Sequence, residues 1–120
     1  MAWNVVLVDE VDQWFLALAQ ADYDIDTVAA AIDLLEEHGP NLGRPVADRV
    51  KGSKRHNMKE LRPSGTSIRI LFIFDPNRNA VLLVAGDKTG NWSGWYERNI
   101  PVAEERYDAW LAGNYDEEVN

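Results

Sequence analysis

Seven cationic side chains crowd one stretch of this 120-residue chain: Arg44, Arg49, Lys51, Lys54, Arg55, Lys59 and Arg62. Guanidinium and ammonium groups stay charged and aim several donors at an anion, so such a cluster could form a phosphate-contacting rim whose grip weakens with salt. His56 lies inside the cluster, and its ordinary pKa suits proton transfer. Arg69 stands between Ile68 and Ile70, in the middle of an apolar run, where a merely solvated charge is out of place. The net charge of −8 argues against a polyanionic partner, but its distribution does not. The first forty-three residues carry nine acids and no base, and all twelve Lys and Arg residues fall between Arg44 and Arg106. One face could therefore still meet an anion.

Other chemistries are poorly served. The chain has no Cys, which removes disulfides, thiolate metal sites and thiol nucleophiles together. Asp22-Tyr23-Asp24-Ile25-Asp26 opens like a calcium loop, but Thr27 replaces the glycine of the sixth position and Asp33 the glutamate of the twelfth. These acids read better as cap and first-turn residues of a helix. No metal and no cofactor is expected. The N-terminal Met-Ala-Trp-Asn-Val-Val-Leu-Val has no basic n-region and no apolar run reaches spanning length, so a cytoplasmic protein without membrane association is expected.

The elements that must position these residues follow from periodicity. Trp3–Val8 reads as a strand. Asp9 offers an N-cap to a helix with Val11, Trp14, Phe15 and Leu18 on one face. A second helix runs from about Asp24 with Ile25, Val28, Ala29, Ile32 and Leu35 on its stripe, and Gly39-Pro40 stops it. The connection from Gly39 to Asn57 shows no period and holds most of the basic cluster. Strands are expected at Asn57–Arg62, Ser67–Phe74 and Ala80–Gly86, joined as hairpins, and the alternation puts Arg69 opposite the row Ile68, Ile70, Phe72 and Phe74. Pro101 is expected to open a last helix carrying Ala103, Tyr107, Trp110 and Leu111, with Gly113 as its stop. The order β-α-α-β-β-β-α predicts an α+β domain over residues 1–115, a mostly antiparallel sheet with helices packed on one face, followed by an acidic tail at 116–120.

Lys59-Glu60-Leu61-Arg62, then Ser67–Phe74, then Leu82-Leu83-Val84-Ala85-Gly86-Asp87-Lys88-Thr89 resemble the RelE/HigB toxins of type II toxin–antitoxin systems, in their phage Gp49-like branch. The resemblance covers nearly the whole chain in element order and implies a RelE-like fold. It also implies a metal-independent mRNA endoribonuclease that acts on the ribosome and inhibits translation. The implied partners are mRNA, the ribosome and an antitoxin with a helix-turn-helix domain, with DNA met only through that antitoxin.

Carried over by position, Arg62, Arg69 and Lys88 match the basic residues of the family's strands. Tyr96 is the counterpart of its C-terminal Tyr or His. Met58 and Glu60 stand where RelE-like enzymes often have lysines. Cleaving RNA without a metal requires the 2′-hydroxyl deprotonated, the leaving 5′-oxygen protonated and the phosphorane stabilised. The expected site is therefore Arg69 and Lys88 on the phosphate, Arg62 in support, and His56 or Tyr96 for protons. Arg49, Lys51, Lys54, Arg55 and Lys59 would contact RNA, and Trp92 would stack on a base. Two alternatives share the fold: a ParE-like toxin that inhibits gyrase, and a degenerate member that only binds its antitoxin.

Overall fold

The computed structural model describes residues 3–21, 24–54 and 56–115. Its elements are β1 (Asn4–Leu7), α1 (Asp9–Ala21), α2 (Ile25–His38), a 3-10 turn (Gly39–Asn41), β2 (Ala47–Arg49), β3 (Lys59–Leu61), β4 (Ile68–Phe74), β5 (Asn79–Asp87) and α3 (Trp92–Leu111). The five strands form one sheet in the order β1-β5-β4-β3-β2. Three pairings are antiparallel, and only β1 runs parallel to β5. Fold class and mostly antiparallel sheet are as the sequence predicts.

Four local features differ from the sequence reading. The basic connection contains β2, a three-residue strand with two charges that no hydrophobic period announces. Asp9 lies in the first turn of α1, not before it. Asp24 does occupy the cap position of α2, in a left-handed conformation, but its side chain makes no capping bond. The last helix begins at Trp92 and carries Pro101 inside it, so the carbonyl of Glu97 lacks the N–H partner a non-proline would supply. Asp22, Tyr23, Arg55 and the acidic tail lie outside the described residues.

β4 and β5 form the centre of the core: Ile70, Leu71, Phe72, Leu82 and Leu83 are all fully buried. Burying side chains of this size stabilises by roughly 1.5–3 kcal/mol each. Trp3 packs edge-on against Phe74 with ring centroids 4.9 Å apart. Gly39, at φ 54, lets α2 end beneath that indole; a Cβ there would come within 2.4 Å of Trp3. On α3 the buried residues are Trp95, Ile100, Ala103 and Tyr107. Trp95 lies over Gly86, where a Cβ would meet its Nε1 at 2.9 Å, so the helix approaches the sheet closely at the end of β5.

Among the described residues no helix is long and apolar enough to cross a membrane.

Candidate functional site

Strand alternation decides which charges meet. Glu60 pairs with Asp48 on one side and Leu71 on the other, Leu71 pairs with Val84, and Arg69 pairs with Gly86. Residues directly opposite share a face, so Asp48, Glu60 and Arg69 lie on the face that meets α3. Tyr96, one residue beyond Trp95, reaches Glu60 across this surface, and Lys88, just past β5, reaches Tyr96.

The result is a buried carboxylate ringed by cations. Glu60 is 3 % exposed. Its Oε2 accepts from Arg62 Nη2 at 2.7 Å and Nε at 3.0 Å. Its Oε1 accepts from the Tyr96 hydroxyl at 2.5 Å and lies 3.9 Å from Arg69 Nε. Lys88, itself 4 % exposed, donates from Nζ to the Tyr96 oxygen at 3.2 Å. A chain of Arg62, Asp48 and Arg44 extends the network outward, at 3.4 and 3.1 Å. Burying ionised groups costs several kcal/mol each unless paired and hydrogen-bonded, and here Arg62 and Arg69 share one carboxylate, to which Lys88 is linked through Tyr96. The site keeps positive charge in excess.

The environment sets protonation. Burial, reinforced by the Glu60 carboxylate that takes its hydrogen bond, pushes the Tyr96 phenol up to about 12. Burial lowers the Lys88 ammonium from its usual value, and Arg69 lowers it further against the opposing pull of Glu60. The bond to Glu60 raises Arg62 above its ordinary value despite partial burial.

Arg62, Lys88, Glu60 and Tyr96 line a cleft of about 890 Å³. Its other wall is the basic connection, including Arg49, Lys51 and Lys54, set against Ile100 and Glu104 of α3. Glu104 holds that wall in place: its Oε2 accepts from Ser53 Oγ at 2.8 Å and from the Lys54 N–H at 2.9 Å. Gly52 permits the close approach, since a Cβ there would lie 2.8 Å from Ile100 Cδ1.

Four of the five sequence candidates for chemistry thus converge: Arg62, Arg69, Lys88 and Tyr96. Arg69 stands behind Glu60 and is absent from the cleft lining; its side chain is 12 % exposed. Its Nη1 donates to the carbonyls of Thr66 and Ile68, while its buried Nε has no hydrogen-bond partner among the described residues. His56 joins none of these bonds. Its ring packs edge-on against Tyr107 and its Nε2 lies 3.4 Å from Asp108. Lys59 projects to the other face, 5.5 Å from the Phe74 ring centroid. Trp92 is 59 % exposed and carries the Lys88 ammonium 3.6 Å over its ring. Arg55 is outside the described residues. Sequence reasoning missed the centre of the site, Glu60, which it noted only as a departure, and the clamp Glu104; a lone acid on a short strand between basic residues was the available signal for the first.

Among the described residues no group of three or more His, Asp or Glu side chains could hold a metal ion.

Residues 13–108 match the family model described as phage derived protein Gp49-like (DUF891). The chain is 57% identical over 111 residues to a protein of Mycobacterium tuberculosis named as toxin HigB3, covering 92% of this chain and 96% of that relative. It is 45% identical over 108 residues to one named as toxin HigB2 from the same organism, covering 88% of this chain but 53% of the longer relative. Among solved structures, a chain of the archaeal RelE–RelB complex from Pyrococcus horikoshii OT3 aligns with a TM-score of 0.57 at 14% identity, over 75% of this chain and 99% of that one. A free-state arginine-to-alanine double mutant of E. coli toxin RelE aligns with a TM-score of 0.52 at 14% identity, over 82% and 98%. At that identity the likeness establishes the fold alone. With the family match spanning most of its length and a relative above half identity, the chain belongs to the Gp49-like branch of the RelE/HigB toxin family.

Proposed function

We propose that this protein is the toxin of a type II toxin–antitoxin pair and cleaves messenger RNA without a metal ion, on the ribosome. The observation that carries the reading is the excess of positive charge around Glu60 at the floor of an open cleft. Three cations meet one carboxylate and one phenol, which is an arrangement that a phosphate completes.

The steps follow from what each group can do. Attack of a ribose 2′-oxygen on the adjacent phosphorus forms a 2′,3′-cyclic phosphate and breaks the bond to the 5′-oxygen. Glu60 is the acceptor in the cleft for the 2′-hydroxyl proton. Arg62 and Lys88, which line the cleft, stabilise the charge that builds on the phosphorane, and Arg69 adds its field from behind. Lys88, lowered by burial, gives a proton to the departing 5′-oxygen. Tyr96 keeps its own proton and fixes Glu60 and Lys88 relative to each other. His56, tied to Asp108, stands outside this relay.

A ribosome that presents the strand offsets the weak attraction between free RNA and a chain of net charge −8. The protein is silenced by an antitoxin carrying a helix-turn-helix domain, and it meets DNA only through that partner. One observation favours a second reading, a member that only binds its antitoxin: Glu60 already occupies two donors of Arg62 that a phosphate would use.

Purified protein added to translating ribosomes separates these. Cleavage of the bound mRNA that survives chelation and falls on the order of 10²–10³-fold in Lys88→Ala and Arg62→Ala is the expected result. Folded, inert protein supports the second reading. Growth arrest with DNA synthesis failing before translation identifies a gyrase inhibitor instead.

A further inference from the structure

Arg49 and Lys59 stand directly opposite each other across β2 and β3. The flanking bonds, Val50 N–H to the Met58 carbonyl at 3.0 Å and Arg62 N–H to the Val46 carbonyl at 2.6 Å, make 49/59 a non-hydrogen-bonded pair. In such pairs the Cα atoms approach to about 4.5 Å and the side chains crowd. Like charges placed this way destabilise a sheet. Neither residue has an acidic side chain within ion-pair distance among the described residues. The fold therefore holds two close cations that no carboxylate among the described residues neutralises.

Alternation puts this pair on the sheet face opposite Asp48 and Glu60, away from the carboxylate network. There it borders a second cleft of about 910 Å³, lined among others by Arg44, Lys51, His56 and Phe74. The one acid in that lining is Asp48, which already accepts from Arg44 and Arg62. His56 is held by Asp108, and the Lys59 ammonium lies near the half-buried Phe74 ring, which adds an aromatic surface to the charge. The two clefts share Arg44, Asp48, Arg49, Val50 and Lys51. They meet around β2, which is an edge strand of the sheet.

We propose that this second cleft is a phosphodiester-binding site, which takes up RNA backbone passing around the β2 edge from the catalytic cleft. A polyanion leaving that cleft over α1 and α2 would meet a surface with acids and no Lys or Arg, whereas the path across β2 sets Arg44, Arg49 and Lys51 against the single acid Asp48. The identity of the anion rests on the RNA-cleaving reading; the cationic pair and its cleft do not. The backbone is either that of the cleaved strand or that of a separate ribosomal RNA.

The test measures equilibrium binding of a tetranucleotide RNA, a long unstructured RNA and ribosomes, across salt concentrations, to the unaltered protein and to Lys59→Gln and Arg49→Gln/Lys59→Gln. The RNAs carry 2′-O-methyl sugars so that no cleavage intervenes. Each lost contact with single-stranded RNA makes the log–log salt dependence shallower by about 0.7, so the double variant should lose about 1.4, with affinity for the long RNA falling on the order of tenfold. In Lys59→Gln, whose side chain lines only the second of the two clefts, the tetranucleotide should lose far less than the long RNA. Loss on ribosomes but not on the long RNA supports the site and assigns its anion to ribosomal RNA. Undiminished affinity and salt slope with every RNA and with ribosomes overturns the proposal. Lys54→Gln, on the wall of the catalytic cleft but outside the lining of the second, weakens short and long RNA alike and serves as the contrast. Absence of cleavage by the unaltered protein on ribosomes, with these binding losses still seen, removes the RNA-cleaving reading and leaves the site standing.

Discussion

Tyr96 and Glu60 are joined by a hydrogen bond of 2.5 Å, and the Lys88 ammonium donates to the same phenol oxygen from 3.2 Å. The phenol therefore ties the carboxylate of β3 to the cation that follows β5. In Tyr96→Phe the ring stays and the tie is lost. Activity on ribosome-bound mRNA should fall by about 10–10², and thermal unfolding should come earlier because buried Glu60 and Lys88 each lose a hydrogen bond. Glu60→Gln keeps the shape but removes the base, and the expected loss is larger, about 10²–10⁴. Equal, small losses in both would remove Glu60 from the chemistry.

Raising the pH discriminates between Tyr96, which keeps its proton, and Lys88, which gives one up. Tyr96 keeps its proton to about 12, so its phenol stays neutral over the working range. Lys88, lowered by burial and by Arg69, loses its charge earlier than an ordinary lysine. The single-turnover rate should fall along an alkaline limb below the usual lysine value. Lys88→Arg, which stays charged, should move that limb upward even though its rate is lower. A limb at the same pH in both proteins would assign it to another group.

Asp75 provides a stability test remote from the cleft. Burial works against its ionisation, but bonds from the Asn79 side chain, Trp110 Nε1 and the N–H groups of Asn79 and Asn77 outweigh it and hold its pKa below the ordinary value. A folded pKa below the unfolded one contributes stability that is present above about pH 4 and lost as pH falls through the folded pKa. Asp75→Asn should cost about 2–3 kcal/mol at pH 7 in denaturant unfolding, and the difference should shrink in acid. A difference independent of pH would show that packing, not charge, carries the effect.

Lys59→Glu replaces a like-charge cross-strand pair with an ion pair facing Arg49. Such pairs differ by roughly 0.2–1 kcal/mol, so melting should rise by a few degrees while long-RNA binding falls. Gain of stability with loss of binding is the signature of charge kept for a ligand; a lower melting temperature would contradict it.

Glu104→Ala should release the basic wall by removing the acceptor of Ser53 and Lys54. The effect is expected mainly in KM, by several-fold, with the rate at saturation nearly kept. A loss confined to kcat would place Glu104 in the chemistry instead.

Periodicity made the helices of the first half and the hairpins legible, because Val11, Val28 and Leu35 or Ile68 and Ile70 face a core and must repeat. It failed where function or contact replaces burial. β2 carries Asp48 and Arg49 in three residues, so nothing hydrophobic marks it. The start of α3 is hidden by Gly90 and Gly94; the latter fits because any Cβ would strike the Asn91 side chain, at 2.4 Å. Pro101 then reads as a beginning when it is an interior residue. Arg62, Arg69, Lys88 and Tyr96 were readable by family position. Their common partner was not, since the carboxylate's role depends on Arg69, Lys88 and Tyr96, which arrive from three other segments. His56 stands beside the basic cluster in sequence, but the structure gives its ring to Asp108 and Tyr107.

The parallel pairing of β1 with β5 carries a consequence for biosynthesis. The first strand to be translated finds its neighbour only when Asn79–Asp87 has been made, and Lys88 and Tyr96 come later still. Pairing across so long a stretch is slow and demands a late, concerted closure of the sheet. A nascent chain therefore carries no assembled cleft while most of it is being synthesised. A cleft built on Lys88 and Tyr96 is assembled only after β5 and the start of α3 have been made.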